Sequence, residues 1–155
     1  PLISNGDREE FVFSQLLEEK PDKEDDSIKL SPTIFQEPLL PKTDYRVTVI
    51  GDKVIGVRID KVRGNVPVDW RTEKEGLEFT QVELPDEVEE LCRTYVRKAG
   101  LLFGAIDLVK TNGEFKFLEI NPNGEWGWLQ KPWGVPIAEN LSNLLMKEDS
   151  LYDKD

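Results

Sequence analysis

The sequence predicts an α+β fold, in which helices flank an antiparallel β-sheet. Two turn signals support this prediction, because residues 51–53 and Asn112-Gly113 each separate two segments rich in β-branched and aromatic residues. A third observation is a set of apolar residues at helical spacing between two breakers, Pro85 and Gly100. We therefore expect two hairpins in one sheet and a helix packed against it.

The N-terminal part of the chain carries the weakest signals. Residues 9–17 begin as a strand-like pattern, and the acidic stretch after them predicts a solvated loop over residues 18–30. Residues 33–36 are β-rich, but Pro38 and Pro41 interrupt the pattern. We therefore expect a strand and a long loop ahead of the first hairpin.

The central part of the chain predicts three strands and a helix. The first hairpin is expected to pair residues 45–50 with residues 54–59, and residues 77–84 form a further short strand pattern. A helix is expected to start at residues 85–87, because proline fits the first turn and acidic side chains favour its positive end. The helical spacing stops at Gly100.

The C-terminal part predicts a second hairpin and a second helix. A buried strand over residues 101–109 is expected to pair with a returning strand over residues 115–121. A loop rich in Trp and Gly follows, and residues 136–146 have the spacing of a helix. Trp126 and Trp128 in that loop either pack in the core or line a substrate pocket.

Composition excludes several classes of function. The 155 residues include 20 Lys and Arg against 31 Asp and Glu, a net charge of −11, which argues against nucleic-acid binding. The absence of His and the single Cys exclude imidazole-based catalysis, a typical zinc site and an internal disulfide. No apolar run could span a bilayer and no signal-peptide pattern is present, so we expect a cytoplasmic location.

Three oxygen-bearing side chains of the second hairpin form a candidate metal site. Glu119 and Asn121 stand two apart on one strand and therefore share a face. A turn at Asn112-Gly113 pairs residues whose numbers sum to about 225 or 226, which brings Asp107 near Glu119. Two carboxylates and an amide suit a hard cation such as Mg²⁺. From spacing alone, a solvated polar face of the hairpin remains the alternative.

Residues 42–74 form a basic segment within an acidic chain. They include eight Lys and Arg against five Asp and Glu. Such a segment can hold a polyphosphate that the whole molecule would repel, and arginine forks match phosphate oxygens. The alternative for any single basic side chain here is an exposed position on a twisted hairpin.

The second hairpin resembles the metal-binding end of the ATP-grasp fold. The residues that carry the resemblance are Ala105-Ile106-Asp107-Leu108 followed by Phe117-Leu118-Glu119-Ile120-Asn121. The longer string over residues 117–126 is similar to the ATP-grasp ligases that macrocyclise ribosomal peptides, the microviridin or graspetide group, and to the ribosomal-protein glutamate ligase RimK. The resemblance extends from Pro1 to Leu145, and it implies that residues 1–155 are the C-terminal portion of an ATP-grasp domain.

The resemblance implies a role for each matching residue. The metal ligands for Mg²⁺ would be Asp107, Glu119 and Asn121. The residues that bind ATP would be Gln36, Glu37, Pro38 and Leu39 at the adenine edge, Asp44 near the ribose and Leu118 on the adenine face. The catalytic residues beside the phosphates and the acyl phosphate would be Arg46 and Arg71, with Arg58 as a third candidate.

The activity that the resemblance implies is that of an ADP-forming ligase. ATP would phosphorylate a carboxylate, and an amine or alcohol would attack the acyl phosphate to give an amide or ester on a ribosomal precursor peptide. Two alternatives stay open: a RimK-like ligase that adds amino acids to a protein tail, and a nucleotide- or peptide-binding fragment without activity. A homo-oligomer is a further expectation for the full-length protein.

The sequence departs from the family pattern at its start. ATP-grasp enzymes hold the α- and β-phosphates with a lysine whose position would precede residue 1. The N-terminal domain and most of the central subdomain would also lie upstream, and residues 2–13 show no Gly-rich phosphate lid. Because residue 1 is proline and the single methionine is Met146, we expect a fragment of a longer protein, whose turnover on its own stays open.

Overall fold

The computed structural model describes residues 2–5, 8–11, 13–20, 22, 26–30, 33–64 and 66–148. Residues 21 and 23–25 of the expected acidic loop therefore lie outside the described residues. The first elements form a two-stranded antiparallel sheet of β1 (Leu2–Asn5) and β2 (Arg8–Phe11). The short helix α1 (Asp26–Leu30) follows them.

The predicted loop over residues 18–30 is wrong at its end, because α1 is helical. Asp26 lies in the first turn of α1 and Lys29 in its last turn, and the Lys29 Nζ lies 3.1 Å from the Asp26 Oδ1. This arrangement suits both the helix dipole and a pair three residues apart. Residues 33–40 have no regular structure, so their β-rich start forms no strand. A strand needs a neighbouring strand as well as β-branched residues.

One five-stranded antiparallel sheet forms the body of the fold. Its strands are β3 (Thr43–Ile50), β4 (Lys53–Lys61), β5 (Leu77–Val82), β6 (Phe103–Thr111) and β7 (Glu114–Asn121), in the order β5-β4-β3-β6-β7. Both predicted hairpins are confirmed, and the pairing of β3 with β6 joins them. Gly51, Asn112 and Gly113 take the positive φ values that such tight turns require.

Helices cover both faces of this sheet. The two predicted helices are confirmed as α2 (Asp86–Lys98) and α4 (Ile137–Glu148). A short helix, α3 (Gly127–Gln130), precedes α4 in the chain. The sequence did not predict α3, or the single turn of 3-10 helix over Trp70–Thr72. Within the described residues, none of the helices has the length and apolar character needed to cross a membrane.

Each face of the sheet has its own apolar core. On one face, Val47 of β3 packs with Cys92 and Val96 of α2. On the other face, Val57 of β4 belongs to a core with Leu129 of α3 and further residues of α4. Residues of a strand alternate between the two faces, so the odd positions of β3 meet α2 and the even positions meet α3 and α4.

A β-bulge interrupts the pairing of β6 with β7. Asp107 pairs with Glu119, whereas the next residue, Leu108, pairs with Phe117. Leu118 is therefore the extra residue on β7. The bulge lies at the position where the candidate metal ligands begin.

Candidate functional site

Three charged side chains from neighbouring strands meet on one face of the sheet. Arg46 of β3 is in register with Asp107 of β6, and Asp107 is in register with Glu119 of β7. Directly paired residues project to the same face of a sheet, with Cβ atoms about 5 Å apart. The Nη1 of Arg46 lies 2.9 Å from the Oδ1 of Asp107. The predicted approach of Asp107 to Glu119 is confirmed, and Arg46 completes a row across three strands.

Asp107 is nearly enclosed, and its carboxylate is incompletely satisfied. The side chain is 17% exposed, and Oδ1 has no hydrogen-bond partner. Its contact with Arg46 is therefore an ion pair that lacks hydrogen-bond geometry, and the buried Nε of Arg46 is also without a hydrogen bond. Burial raises the pKa of Asp107 to about 6; the charge of Arg46 opposes this rise, and Glu119 adds to it. A bound cation would offset both the cost of burying the Asp107 carboxylate and its repulsion by Glu119.

Asn121 lies at the end of β7, on the face that carries Glu119. It pairs in register with Ala105, and its Oδ1 accepts a hydrogen bond of 2.9 Å from the backbone N–H of Asn123. This bond orients the amide and leaves a second lone pair on the oxygen. The turn lies tightly against β6, since a Cβ on Gly124 would come within 2.5 Å of the Ala105 Cβ.

These residues supply the oxygen donors that a hard cation prefers. Among the described residues, no three His, Cys, Asp or Glu side chains group together as a metal site. The predicted set is instead two carboxylates, Asp107 and Glu119, with the amide of Asn121. Mg²⁺ is commonly bound by one or two carboxylates together with water or phosphate oxygens. The unsatisfied Oδ1 of Asp107 makes the set a fit for such a cation.

Arg71 reaches the same neighbourhood from the 3-10 helix. Its Nε and Nη2 donate hydrogen bonds of 2.8 Å to the two carboxylate oxygens of Asp69. The Asp69 side chain also accepts from the backbone N–H groups of Arg71 and Ser14. The hydrogen bond with Asp69 is the largest cause of a raised pKa of Arg71. The negative charges of Glu119 and Asp107 raise that pKa further.

Asp69 is buried, yet its carboxylate is fully satisfied. Burial tends to raise its pKa, but the hydrogen bonds from Arg71 and Ser14 outweigh burial, so the pKa of Asp69 lies below its usual value. Asp69 also caps the 3-10 helix by accepting from the Arg71 N–H. The local sequence Asp69-Trp70-Arg71 therefore fixes the direction in which Arg71 leaves the backbone.

Asp44 lies two residues from Arg46 on β3 and is almost completely buried. The Nζ of Lys42 donates to both its oxygens, at 2.5 and 2.6 Å. Burial raises the pKa of Asp44, and the hydrogen bond and charge of Lys42 oppose that rise. The contact between Asp44 and a ribose stays a prediction, and the structure adds Lys42, which the sequence did not single out.

The predicted adenine-binding residues lie on two separate elements. Gln36, Glu37 and Pro38 are exposed and Leu39 is half-buried, all in the irregular segment before β3. Leu118 occupies the bulge of β7 with 44% of its surface exposed. An exposed apolar side chain beside the predicted metal ligands could contact a flat ring, and the adenine contact stays a prediction for all these residues.

Arg58 does not belong to this face of the sheet. It lies opposite Tyr45 on β3, one residue out of phase with Arg46, and its Nε donates to the Asp60 Oδ2 at 2.7 Å. The expectation that Arg58 joins the phosphate-facing arginines is therefore wrong. The physical reason is the two-residue period of β4, which turns Arg58 to the opposite face.

An aromatic cluster, consisting of Trp70, Phe79, Trp128 and Trp133, lies beside the arginines. Its ring centroids are 5.0 to 5.8 Å apart in the four contacting pairs. Trp128 also lies against the Arg46 guanidinium, whose Cζ is 5.9 Å from the ring centroid. Trp126 and Trp128 both pack against the core that residues of α3 and α4 help to form. The sequence left both tryptophans open between core and pocket, and the contact with Arg46 was not predicted.

An antiparallel sheet that presents paired carboxylates, an amide and two arginines near one another is the arrangement expected of an ATP-grasp domain. The comparison of the sequence with known families makes this specific. The family described as the RimK-like ATP-grasp domain matches residues 29–145, and the chain belongs to this family.

Several relatives of known identity are similar to this chain. The tetrahydromethanopterin:alpha-L-glutamate ligase of Methanocaldococcus jannaschii is 30% identical over 102 residues, which cover 63% of this chain and 33% of the relative. A peptide-associated ATP-grasp ligase of Chryseobacterium gregarium, solved with ADP and a leader and core peptide, is 27% identical with a TM-score of 0.79. That match covers 95% of this chain and 46% of the solved chain.

A third relative is the macrocyclase MdnC of Microcystis aeruginosa, solved with its precursor peptide MdnA. It is 30% identical with a TM-score of 0.55, over 67% of this chain and 33% of MdnC. The chain thus spans between a third and a half of the length of these relatives. The family membership and the predicted α+β fold, with its antiparallel sheet and flanking helices, are confirmed.

Proposed function

We propose that the protein carrying this chain is an ATP-dependent ligase that activates a carboxylate as an acyl phosphate and joins it to an amine or alcohol of a peptide. The observation that carries the proposal is the row of Arg46, Asp107 and Glu119 across three strands, in which the Oδ1 of Asp107 is buried without a hydrogen bond. Membership of the RimK-like ATP-grasp family supports the reaction class.

In the proposed site, two sets of residues stabilise the negative charge of the ATP phosphates. Asp107, Glu119 and Asn121 would hold Mg²⁺, which when bound offsets negative charge on the phosphates. Arg46 and Arg71 would hold the transferring phosphoryl group, because fixed guanidinium groups stabilise the charge that develops during transfer. Their partners Asp107 and Asp69 fix the position of both arginines before substrate binds.

The reaction needs no nucleophile from the protein. A carboxylate oxygen of the substrate attacks the γ-phosphorus, and ADP leaves with the electrons of the broken P–O bond. The amine or hydroxyl then attacks the acyl carbon, phosphate leaves, and the proton of the nucleophile passes to solvent. The chain has no histidine, and its one cysteine, Cys92, is a buried thiol whose pKa burial raises to about 11, which agrees with this scheme.

The nucleotide would lie between the irregular segment and the bulge. Gln36, Glu37, Pro38 and Leu39 are proposed to contact the adenine edge and Leu118 its face. Asp44 is proposed to contact the ribose; a hydroxyl there would share the carboxylate with Lys42, which already donates to both oxygens.

A peptide is the substrate class that the solved relatives favour, since one was determined with a precursor peptide and another with a leader and core peptide. The archaeal relative favours a second candidate, the addition of glutamate to an existing acceptor. Mass spectrometry of the product separates the two. Macrocyclisation removes one water from the peptide, whereas addition increases its mass by one amino-acid residue.

The test of the proposed function is the release of ADP in the complete protein that carries this chain, with a precursor peptide and Mg²⁺. We expect Glu119→Gln to lower kcat by about 100-fold or more, because a lost ligand removes several kcal/mol of charge stabilisation. The matched control is Glu114→Gln, an exposed residue of the same strand that pairs with Lys116. A Glu119→Gln variant as active as this control would overturn the proposal.

A further inference from the structure

The Arg46 guanidinium has two contacts of different kinds. One is the ion pair with Asp107, and the other is the face of the Trp128 ring, 5.9 Å from Cζ to centroid. The Arg46 side chain is 12% exposed, and its Nε has no hydrogen-bond partner. A guanidinium over an indole face is attracted by the negative potential of the ring, most strongly where water is excluded.

The Trp128 ring is itself held in place. Its Nε1 donates a hydrogen bond of 3.0 Å to the backbone carbonyl of Glu125. Phe79 meets it edge-on at 5.0 Å, and Trp70 lies at 5.5 Å. Since Trp70 directly precedes Arg71 in the 3-10 helix, this one ring contacts both Arg46 and the element that carries Arg71.

The two contacts of Arg46 respond differently to a cation. A divalent ion held by Asp107 and Glu119 would neutralise the charge that attracts Arg46, so the ion pair would weaken when the site is loaded. The ring potential of Trp128 is unaffected by that neutralisation. The aromatic contact is then the one that keeps the guanidinium at its place beside the phosphates.

We infer that Trp128 is a positioning residue, which holds Arg46 at the reacting phosphate through its ring face. This inference rests on the proposed function for its chemical purpose. Trp133 is a matched control, because it belongs to the same aromatic cluster through its contact with Phe79, at 5.3 Å, and is 38% exposed.

The first test measures kcat and KM for ATP in the complete protein. Trp128 is replaced in turn by tryptophan analogues whose rings carry one, two or three fluorine atoms. Fluorination lowers the negative potential of the ring face and nearly preserves its size. We expect kcat to fall stepwise, by about tenfold for the trifluorinated ring, with a smaller change in KM. The same series at Trp133 should leave kcat within about twofold. Equal kcat values across the series at Trp128 would overturn the inference.

The second test does not depend on activity. In protein labelled with ¹⁵N-arginine, the Nε–H signal of Arg46, assigned by its loss in Arg46→Lys, should be displaced by the Trp128 ring current. The displacement should persist at saturating Mg²⁺, disappear in Trp128→Leu and remain in Trp133→Leu. A signal that moves to the position of a solvated arginine when Mg²⁺ is added would overturn the inference. Absence of ADP release by the wild-type protein, in contrast, would overturn only the proposed function.

Discussion

The two arginine–aspartate pairs Arg71–Asp69 and Arg46–Asp107 differ in how fully the aspartate is hydrogen-bonded and in the direction of its pKa shift. In the pair on the 3-10 helix, Asp69 receives two hydrogen bonds from the Arg71 guanidinium and two from backbone N–H groups. In the pair on the sheet, Asp107 meets Arg46 at 2.9 Å without a hydrogen bond to Oδ1. The pKa of Asp69 is lowered, whereas that of Asp107 is raised.

The difference teaches which carboxylate is available to a ligand. Asp69 is a neighbour in sequence of its partner, so short local bonds satisfy it completely and it acts as a structural anchor. Asp107 faces Arg46 on one side and Glu119 on the other, and its Oδ1 accepts a hydrogen bond from neither. A largely buried carboxylate that has an oxygen without a hydrogen bond and lies beside a second carboxylate is suited to binding a cation.

The largest effect should come from Asp107→Asn. We expect at least about a 100-fold loss of ADP release, because a neutral amide binds a hard cation far less well than a carboxylate. The free energy of unfolding should not fall by more than about 1 kcal/mol, since burial and the charge of Glu119 together disfavour the ionised Asp107 more than Arg46 favours it. Kinetics and urea unfolding of the same preparation check both. Asp60→Asn is the control. A rate of ADP release for Asp107→Asn as high as that of Asp60→Asn would contradict the comparison.

The next largest effect is on the free energy of unfolding and concerns the pair of Asp69 with Arg71. Asp69→Asn should lower the free energy of unfolding by about 2 kcal/mol, because it loses charge-assisted hydrogen bonds to a half-exposed arginine. Urea unfolding measures the change. Asp60→Asn again serves as control, since the pair of Asp60 with Arg58 is substantially exposed and should contribute less than about 0.5 kcal/mol. A loss for Asp69→Asn no larger than that for Asp60→Asn would contradict the role of Asp69 as a structural anchor.

Magnesium should stabilise the wild-type protein without nucleotide. At a concentration ten times its Kd, the free energy of unfolding should rise by about 1.4 kcal/mol, because the ion binds only the folded chain. Thermal melts with and without a chelator measure this rise. Glu119→Gln should remove it and Glu114→Gln should retain it. A rise of the same size in both variants would indicate binding elsewhere.

The smallest effect is a dependence of stability on pH that is specific to Asp69. Its pKa in the folded protein lies below the value of about 3.9 in an unfolded chain. Its contribution is therefore fully present above that value, and it is lost as the pH falls through the folded pKa. The difference in unfolding free energy between wild type and Asp69→Asn should shrink as the pH falls below the unfolded pKa of about 3.9. A constant difference would contradict the assignment.

The sequence predicts the local part of this architecture well. Alternating residues around Gly51 and Asn112-Gly113 define both hairpins, and the register across the second turn, shifted by one at the bulge, brings Asp107 to Glu119. Pairs of charged residues two apart in an extended segment were also within reach, and Lys42, just before β3, with Asp44 is one that could have been found this way. These features depend only on residues close together in the chain.

The remaining features depend on contacts between distant segments. Arg46 reaches Asp107 only because β3 of one hairpin pairs with β6 of the other, and no turn fixes that pairing. Trp128 reaches Arg46 through the packing of α3, a helix of four residues with no periodicity to detect. The error at Arg58 has the same origin, since its face follows from the register of β4 against β3.

The extra residue at Leu118 decides which side of the sheet the acidic group of β7 occupies. Counted from the two-residue turn, an uninterrupted ladder would place Leu118 opposite Asp107 and direct Glu119 toward α2. The bulge shifts the phase of the strand by one, so that Glu119 and Asn121 return to the side of Arg46. Deleting Leu118 would therefore leave Glu119 opposite Asp107 in a regular ladder, whereas a strand that kept Leu118 without the bulge would turn Glu119 and Asn121 away from Arg46.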